Sequence, residues 1–231
     1  MVLGASSKIG KTWTLINLAI SIASGQPWLG LNTTKGKVLY LNFELADDEM
    51  QERIEAVKIA RCIILEDGQL DVWNLSEHSA PYDVILPAIY ERIKSKEYSA
   101  IVPDPIYCMY GDLDENSAGD VSDLMNKLRT LANKSKAAVV FAHHFSKGNQ
   151  SGKESQDRIS GSGVWGRAVD TNVSITAHEA ENAYTLEATP RGFRKIPPFV
   201  IKWEYPLMVR VDGLNPGKLK TAICKKPAFT D

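Results

Sequence analysis

The sequence predicts an α/β fold in which a mostly parallel sheet lies between helices, and three observations support this. A glycine-containing segment at the start, Gly4 to Thr12, resembles a phosphate-binding loop and precedes a helical run. Apolar, strand-like segments then alternate with helical segments as far as Ala142, which is typical of parallel sheets. From Asn172 to Val211 the chain has short strand-like runs separated by turn residues. Such runs predict antiparallel β-hairpins added to the edge of the sheet.

The segment Gly4-Ala5-Ser6-Ser7-Lys8-Ile9-Gly10-Lys11-Thr12 is interpreted as the pattern G-x-x-x-x-G-K-[ST], with Gly4 as its first glycine. In this pattern backbone N–H groups turn toward phosphates, the lysine reaches the β- and γ-phosphate oxygens, and the last hydroxyl binds Mg²⁺. The positive end of the next helix adds to the attraction. The alternative is a glycine-rich turn that happens to precede a lysine. We predict a nucleoside triphosphate site whose contacts are Gly4, Ser6, Ser7, Lys8, Ile9, Gly10, Lys11, Thr12 and Trp13.

Composition indicates a single ordinary domain. The 231 residues are 44% hydrophobic and carry a formal net charge of −1, which argues against a freestanding basic nucleic-acid-binding protein but allows local basic loops. Cys62, Cys108 and Cys224 are widely spaced and odd in number, so neither a disulfide framework nor a zinc site is indicated. No apolar stretch approaches the length of a membrane span, and no leader precedes the loop. We therefore expect a cytoplasmic protein without a membrane partner.

The chain begins close to the phosphate loop. Met1-Val2-Leu3 is shorter than the buried strand that should precede such a loop, so we expect native residues upstream of Met1. We predict one ATPase-like domain over residues 1–214, and a peripheral tail over 215–231 that contains Pro216, Gly217 and several lysines.

The first predicted elements surround the phosphate loop. Lys11 to Ser24 is apolar nearly all round, which suits a helix packed against a sheet and ended by Gly25. Lys37 to Phe43 is a strand-like run. Asp47 to Leu65 has the pattern of an amphipathic helix with three acidic residues in its first turn, where the helix dipole favours them.

The middle of the chain continues this alternation. A helix is expected from Tyr82 to Lys96, followed by a short apolar strand from Ser99 to Asp104. Val121 to Lys134 has helical periodicity with three leucines on one face. Ala137 to Ala142 is continuously apolar, as expected of a parallel strand that is covered on both faces.

The last third of the sequence differs in character. Ser146 to Gly163 contains almost no hydrophobic residues and is predicted to be a long loop. Four strand-like runs with turn residues between them follow, namely Asn172 to Ala177, Tyr184 to Thr189, Phe199 to Glu204 and Leu207 to Val211.

Asp104 is the candidate magnesium-binding acid, together with the hydroxyl of Thr12. It closes the strand that contains Ile101 and Val102, and in phosphate-loop enzymes an acid at the end of such a strand holds the Mg²⁺ shell. The alternative is a strand-end turn formed with the following proline. Pro103 departs from the expected pattern, because proline cannot donate a ladder hydrogen bond in a central strand.

Glu44 and two histidines are further candidates at strand ends. Glu44 follows the first strand after the phosphate-loop helix, where a carboxylate orients or deprotonates the attacking water; the alternative is a charge at the start of the next helix. His143 and His144 close the apolar strand, so at least one should face the phosphates and sense the γ-phosphate. A metal site is disfavoured because His78 and His178 are remote in the sequence.

The order of these parts resembles the RecA-like ATPases, and most closely the hexameric replicative helicase branch with plasmid RepA-type and DnaB-like helicases and related phage ATPases. The resemblance covers most of the chain. It implies ATP and Mg²⁺ as cofactors, Glu44 as catalytic base, Asp104 as metal acid, His144 as phosphate sensor and a hexameric ring of identical subunits. The segments that carry it are Gly4 to Thr12, Asn42 to Glu44, Val102 to Tyr107, Ala142 to Gly148 and Gly161 to Trp165, with Asp170 beyond them.

The same resemblance implies that the loop from Lys147 to Ser162 faces a central channel. Lys147, Lys153 and Arg158 would there contact the backbone of single-stranded DNA. The alternative is a solvated loop, since Glu154 and Asp157 dilute its positive charge.

A basic segment near the C-terminus, Thr189 to Lys195, lies where ring ATPases carry cations into a neighbouring subunit's site. A cation there stabilises charge on the transferring phosphoryl group. Arg191 is the first candidate and Arg194 the second, and the alternative is a solvated hairpin turn. Thr189 departs from the family pattern, which commonly has lysine at this position.

Three hypotheses for function follow. The first is a RecA-like ring ATPase that acts as a plasmid or phage replication helicase. The second is an ATP-dependent DNA-binding regulator or recombination mediator that has the same core and does not unwind DNA. The third, a small-molecule phosphotransferase, is disfavoured because no second substrate pocket is evident and because Glu44 suits water activation.

Overall fold

The computed structural model describes residues 1–76, 81–145 and 164–220. The helices of these ranges are α1 (Lys11–Ser24), α2 (Asp47–Ala60), α3 (Tyr82–Ser95), α4 (Ala118–Ser135) and α5 (Val164–Ala168), with a 3₁₀ helix at Ile106–Met109. The strands are β1 (Val2–Ala5), β2 (Val38–Asn42), β3 (Leu70–Asn74), β4 (Ala100–Asp104), β5 (Ala138–Val139), β6 (Phe141–His144), β7 (Thr171–Ala177), β8 (Ala183–Pro190), β9 (Ile196–Glu204) and β10 (Leu207–Val211).

The strands form two sheets that meet at Val140. One sheet has the order β3-β2-β4-β5, and the other has the order β10-β9-β8-β7-β1-β6. Val140 alone separates β5 from β6; its N–H donates to the carbonyl of Ile101, and the next N–H donates to the carbonyl of Met1. The run from Ala138 to His144 therefore leaves the edge of β4 and joins the edge of β1. The two sheets are thus joined through β5 and β6, and the strands follow the combined order β3-β2-β4-β5/β6-β1-β7-β8-β9-β10.

Strand pairing changes from parallel to antiparallel at β7. The pairs β3–β2, β2–β4, β4–β5, β6–β1 and β1–β7 are parallel. The pairs β7–β8, β8–β9 and β9–β10 are antiparallel. The predicted α/β fold with antiparallel C-terminal hairpins is confirmed.

Helices cover both faces of the parallel part, because alternate strand residues point to opposite faces. Val38 and Tyr40 of β2 pack in a cluster with Leu15 of α1. Leu39 and Leu41 of the same strand belong to a second cluster, which includes Ile89 of α3 and Leu124 and Leu128 of α4. This arrangement leaves the carboxyl ends of the strands as the open edge, where ligands bind in such folds.

Several predictions from the sequence differ from the structure. The expectation that Met1-Val2-Leu3 is too short for a strand is wrong because the strand continues to Ala5: Val2–Ala5 is fully buried and pairs over four residues with both β6 and β7. Upstream residues stay a prediction. Ala137 to Ala142, expected as one strand, divides at Val140. Strand β3 is absent from the predicted elements, because this edge strand is only half-buried and contains polar Asp71 and Asn74.

No helix within the described residues is long and apolar enough to cross a membrane.

Candidate active site

Parallel pairing brings the predicted site residues to the same edge of the sheet. Ala5 at the end of β1 lies opposite His144 at the end of β6. Asn42 at the end of β2 lies opposite Asp104 at the end of β4, and Glu44 follows two residues after Asn42. These neighbours in space are distant in sequence, and the register of the strands alone places them together.

The loop between β1 and α1 contains residues 6–10 and ends at Gly10. Gly10 has φ +84°, a left-handed conformation that glycine adopts without strain, and a side chain there would also approach the Met208 side chain to 3.2 Å. Gly4 instead lies inside β1, opposite His143 and Ser174. Five residues separate Gly4 from Gly10, one more than the pattern contains, so Ala5 holds the position of the first glycine. Gly4 is a strand residue and not part of the loop.

The Lys11 ammonium is held over this loop. Its Nζ donates to the carbonyl oxygens of Ala5 at 3.3 Å and Ser6 at 2.9 Å, and it lies 3.2 Å from Nδ1 of His144. Burial lowers the pKa of Lys11, and Asp104 and Glu44 oppose this shift. Burial and the nearby Lys11 charge both lower the pKa of His144. His144 is thus suited to accept from Lys11 as a neutral imidazole.

Asp104 and Thr12, the two expected magnesium ligands, lie near each other. Asp104 is buried and accepts a hydrogen bond from the hydroxyl of Tyr40 at 2.7 Å, and the side chain of Thr12 is near enough to act on the pKa of Asp104. Burial raises the pKa of Asp104, while the side chains of Tyr40 and Thr12 act in the opposite direction. Hard oxygen donors of this kind are those that Mg²⁺ prefers. The donor set therefore fits a magnesium ion bound beside a phosphate chain.

Glu44 lies at the rim of the same site with its carboxylate exposed. One oxygen, Oε1, accepts a hydrogen bond from the hydroxyl of Tyr107. Tyr107 belongs to the 3₁₀ helix that begins one residue after the end of β4, and the sequence analysis assigned it no role in the site.

The two histidines of β6 differ in their surroundings. His144 lines the cleft above the phosphate loop. His143 is buried against the ring of Trp165, with 4.5 Å between ring centroids. Its Nδ1 donates to the carbonyl of His144 at 2.8 Å, and its Nε2 lies 2.9 Å from the hydroxyl of Tyr110. Burial lowers the pKa of His143 to about 4, so this side chain is neutral near pH 7.

The cleft has a volume of about 400 Å³, and one of its walls is aromatic. Trp13 lies 5.7 Å from Trp203 and 5.6 Å from Tyr205 between ring centroids, and the Arg53 guanidinium lies 4.9 Å above the Trp13 ring. Of these residues, Trp13 alone was predicted, since the others join the site only through tertiary packing. The residues that line the cleft are Lys8, Ile9, Gly10, Lys11, Thr12, Trp13, Glu44, Arg53, His144, Tyr184 and Trp203.

The remaining predicted residues lie elsewhere. Arg191 and Arg194 are exposed in the turn between β8 and β9 and do not line this cleft. The Arg191 guanidinium donates to the carbonyl of Arg167 in its own chain. Arg194 has no hydrogen-bond or ion-pair partner within residues 1–76, 81–145 and 164–220. The predicted DNA contacts, Lys147, Lys153 and Arg158, lie outside the described residues.

Comparison with known proteins agrees with this architecture. A family model described as "AAA domain" matches residues 1–150. A solved structure whose title describes it as an ATPase domain superimposes with a TM-score of 0.63, covering 91% of this chain and 84% of that chain at 13% sequence identity. No curated protein sequence matches the chain significantly. The prediction of a RecA-like P-loop ATPase fold is confirmed.

Proposed function

Because the chain belongs to the AAA domain family, we propose that it is a Mg²⁺-dependent ATP hydrolase that works as a homo-oligomeric ring on single-stranded DNA. The observation that carries the hydrolytic part is that Lys11, Thr12, Glu44 and His144 line one cleft, with the buried carboxylate of Asp104 near Thr12. These side chains come from the carboxyl ends of β2, β4 and β6 and from the start of α1.

ATP binding begins at the phosphate loop. The present partners of the Lys11 ammonium are two neutral carbonyls and an imidazole. Phosphate oxygens are charged acceptors and form stronger hydrogen bonds with an ammonium group, so the triphosphate would displace these contacts. The N-terminal end of α1 also attracts the phosphates. Release of His144 from Lys11 would then report that the γ-phosphate is in place.

Thr12 and Asp104 would hold the magnesium ion through a hydroxyl and a carboxylate. The bound ion would supply positive charge to the phosphate oxygens. Asp104 is already oriented by the hydrogen bond from Tyr40. A second carboxylate, Glu44, is exposed to the cleft and available to orient and deprotonate the attacking water.

The aromatic wall suits the base of the nucleotide. Trp13, Trp203 and Tyr205 offer ring faces beside the phosphate loop, and Arg53 adds a cation above Trp13. Base stacking on such groups is favourable for every base. We therefore propose that this wall binds the base chiefly through stacking.

The ring, the DNA and the replicative helicase role are supported by the resemblance of motifs and by the fold shared with the solved ATPase domain. A net charge of −1 gives one subunit little general attraction for DNA, which favours contacts pooled around a ring. Lys147, Lys153 and Arg158 stay the predicted DNA contacts, and Arg191 and Arg194 the predicted cations for a neighbouring site. We expect such a protein to work in the cytoplasm.

The test is ATP hydrolysis with and without single-stranded DNA, recorded together with the mass of the assembly. The proposal predicts stimulation by DNA, a ring-sized mass, and loss of stimulation in a Lys147→Ala/Lys153→Ala variant that keeps its basal rate. Hydrolysis that DNA does not change, or a monomeric mass in the presence of ATP and Mg²⁺, would contradict the motor and favour the non-unwinding regulator.

A further inference from the structure

One tyrosine contacts both the candidate base and the candidate phosphate sensor. The hydroxyl of Tyr107 donates to Oε1 of Glu44. The Tyr107 ring lies 5.7 Å from the His144 ring between centroids, with 30° between the two planes. Tyr107 thus connects the end of β2 with the end of β6, although it belongs to neither strand.

Tyr107 approaches Glu44 from outside the nucleotide cleft. Glu44 lines the cleft of about 400 Å³ that contains the phosphate loop. Tyr107 lines an adjoining cavity of about 630 Å³, whose wall includes Ile106, Tyr110 and Ser7 of the phosphate loop, and which shares His144 with the cleft. A hydrogen bond from this side occupies one oxygen of the carboxylate and leaves the second oxygen available to the cleft.

Packing and hydrogen bonds support the backbone around Tyr107. Its 3₁₀ helix begins after Pro105, one residue beyond the end of β4, and the side chains of Ile106 and Met109 are fully buried. The N–H of Phe43 donates to the carbonyl of Asp104 at 3.1 Å, which joins the segment before Glu44 to the segment before Tyr107. A donor on such a support holds its acceptor in one place, whereas an exposed glutamate without a partner samples several rotamers.

The phenol also stays protonated. Burial and the hydrogen bond with Glu44 raise the pKa of Tyr107 far above its usual value, so the hydroxyl remains a donor throughout the neutral range.

We propose that Tyr107 is a positioning residue for hydrolysis, holding one oxygen of Glu44 so that the other faces the attacking water. The Tyr107 ring also contacts the His144 ring. When a phosphate replaces His144 as a partner of Lys11, movement of His144 would therefore change the orientation of the Glu44 carboxylate. The inference rests on the proposed role of Glu44 as base.

The test is Tyr107→Phe, which keeps the ring against His144 and removes only the hydroxyl. A carboxylate that is free to turn away from the water should lower kcat about tenfold, within the range that misplaced catalytic groups cost. KM and the affinity for a fluorescent ATP analogue should change less than twofold. Tyr82→Phe is the matched control, since its hydroxyl bonds to Asp123 on the surface, away from the cleft, and it should hydrolyse ATP at the wild-type rate.

A double variant separates positioning from general damage. In single turnovers, Glu44→Gln/Tyr107→Phe should be no slower than Glu44→Gln, because the hydroxyl acts through the carboxylate. The inference is wrong if Tyr107→Phe has the wild-type kcat. It is also wrong if Tyr107→Phe slows hydrolysis by the same factor in the wild-type protein and in Glu44→Gln. Neither result would contradict the role of Glu44 as base. Wild-type hydrolysis in Glu44→Gln would overturn the base and the positioning role together.

Discussion

The two walls of the cleft come from different halves of the sheet and are built differently. The wall from the parallel half carries polar groups that hydrogen-bond to one another, such as Lys11 with His144, and Tyr40 with the Asp104 carboxylate behind them. The wall that includes the antiparallel half carries rings in mutual contact, chiefly Trp203 and Tyr205 against Trp13.

This contrast matches two kinds of task. Stabilising charge on a phosphoryl group needs polar groups fixed within fractions of an ångström, and neighbouring parallel strands fix them. Stacking depends mainly on contact area and tolerates a less rigid support. Changes in the parallel wall should therefore act mainly on kcat, and changes in the aromatic wall mainly on KM.

The largest effect is expected from Lys11→Ala, because this ammonium is the cation held over the phosphate loop. Loss of one preorganised charge donor of this kind lowers kcat about 10³-fold. Steady-state hydrolysis of ATP measures the effect, with Lys94→Ala, an exposed lysine of α3, as the control. A rate within threefold of wild type would show that Lys11 does not bind the phosphates of ATP.

The second-largest effect is expected at the contact between subunits, where an arginine of one chain would enter the cleft of its neighbour. Arg194 is the better candidate for a cation given to a neighbour, because Arg191 already donates to a carbonyl of its own chain. Arg194→Ala should lower kcat about 100-fold, as for one charge-stabilising donor.

Mixing tests whether that cation acts in the neighbouring site. Arg194→Ala subunits mixed with Glu44→Gln subunits should regain activity through composite sites, whereas either variant alone stays slow. If no mixing ratio restores ATP hydrolysis, Arg194 does not act in a neighbouring site, and the catalytic groups all come from the parallel half of one chain. Arg191→Ala, run in parallel, should keep most of its activity.

A smaller effect is expected from Asp104→Asn, which keeps an acceptor for the Tyr40 hydroxyl and removes the negative charge. A neutral amide is a weaker ligand for Mg²⁺, so kcat should fall about tenfold to 100-fold and the Mg²⁺ concentration for half-maximal rate should rise. A magnesium titration of the ATPase rate measures both, with Asp123→Asn on the surface as control. An unchanged magnesium requirement would place the ion elsewhere.

The smallest effect is expected from Trp203→Ala in the aromatic wall. Loss of one stacking face should raise KM for ATP about tenfold, the equivalent of roughly 1.4 kcal/mol, and leave kcat within twofold. Quenching of tryptophan fluorescence by ATP should also weaken. A fall in kcat with unchanged KM would contradict the division between the two walls.

The sequence predicted the parallel wall more completely than the aromatic wall, for a physical reason. Glu44, Asp104 and His144 each end an apolar run, and parallel strands bring such ends to one edge. Trp203 and Arg53 reach the cleft only because the β9–β10 hairpin and α2 pack beside α1, and no local pattern encodes that packing.

Two predictions near the start of the chain are wrong. Gly4 cannot be the first residue of the loop pattern, because the pattern places that residue five positions before Gly10, at Ala5, and the structure has Gly4 inside a strand that pairs with β6 and β7. The same pairing on both sides allows a four-residue strand that looks too short in isolation. Tyr107 escapes prediction because nothing in the sequence indicates that its hydroxyl meets Glu44, a residue 63 positions away.

The most direct test of a hydrolytic centre at the strand ends is Glu44→Gln, measured for ATP binding and for single-turnover hydrolysis on the same preparation. The substitution keeps the size of the side chain and removes its ability to take a proton from water. If Glu44 is the general base, Glu44→Gln should bind ATP with wild-type affinity and hydrolyse it about 100-fold more slowly. Hydrolysis at the wild-type rate with intact binding would contradict that role.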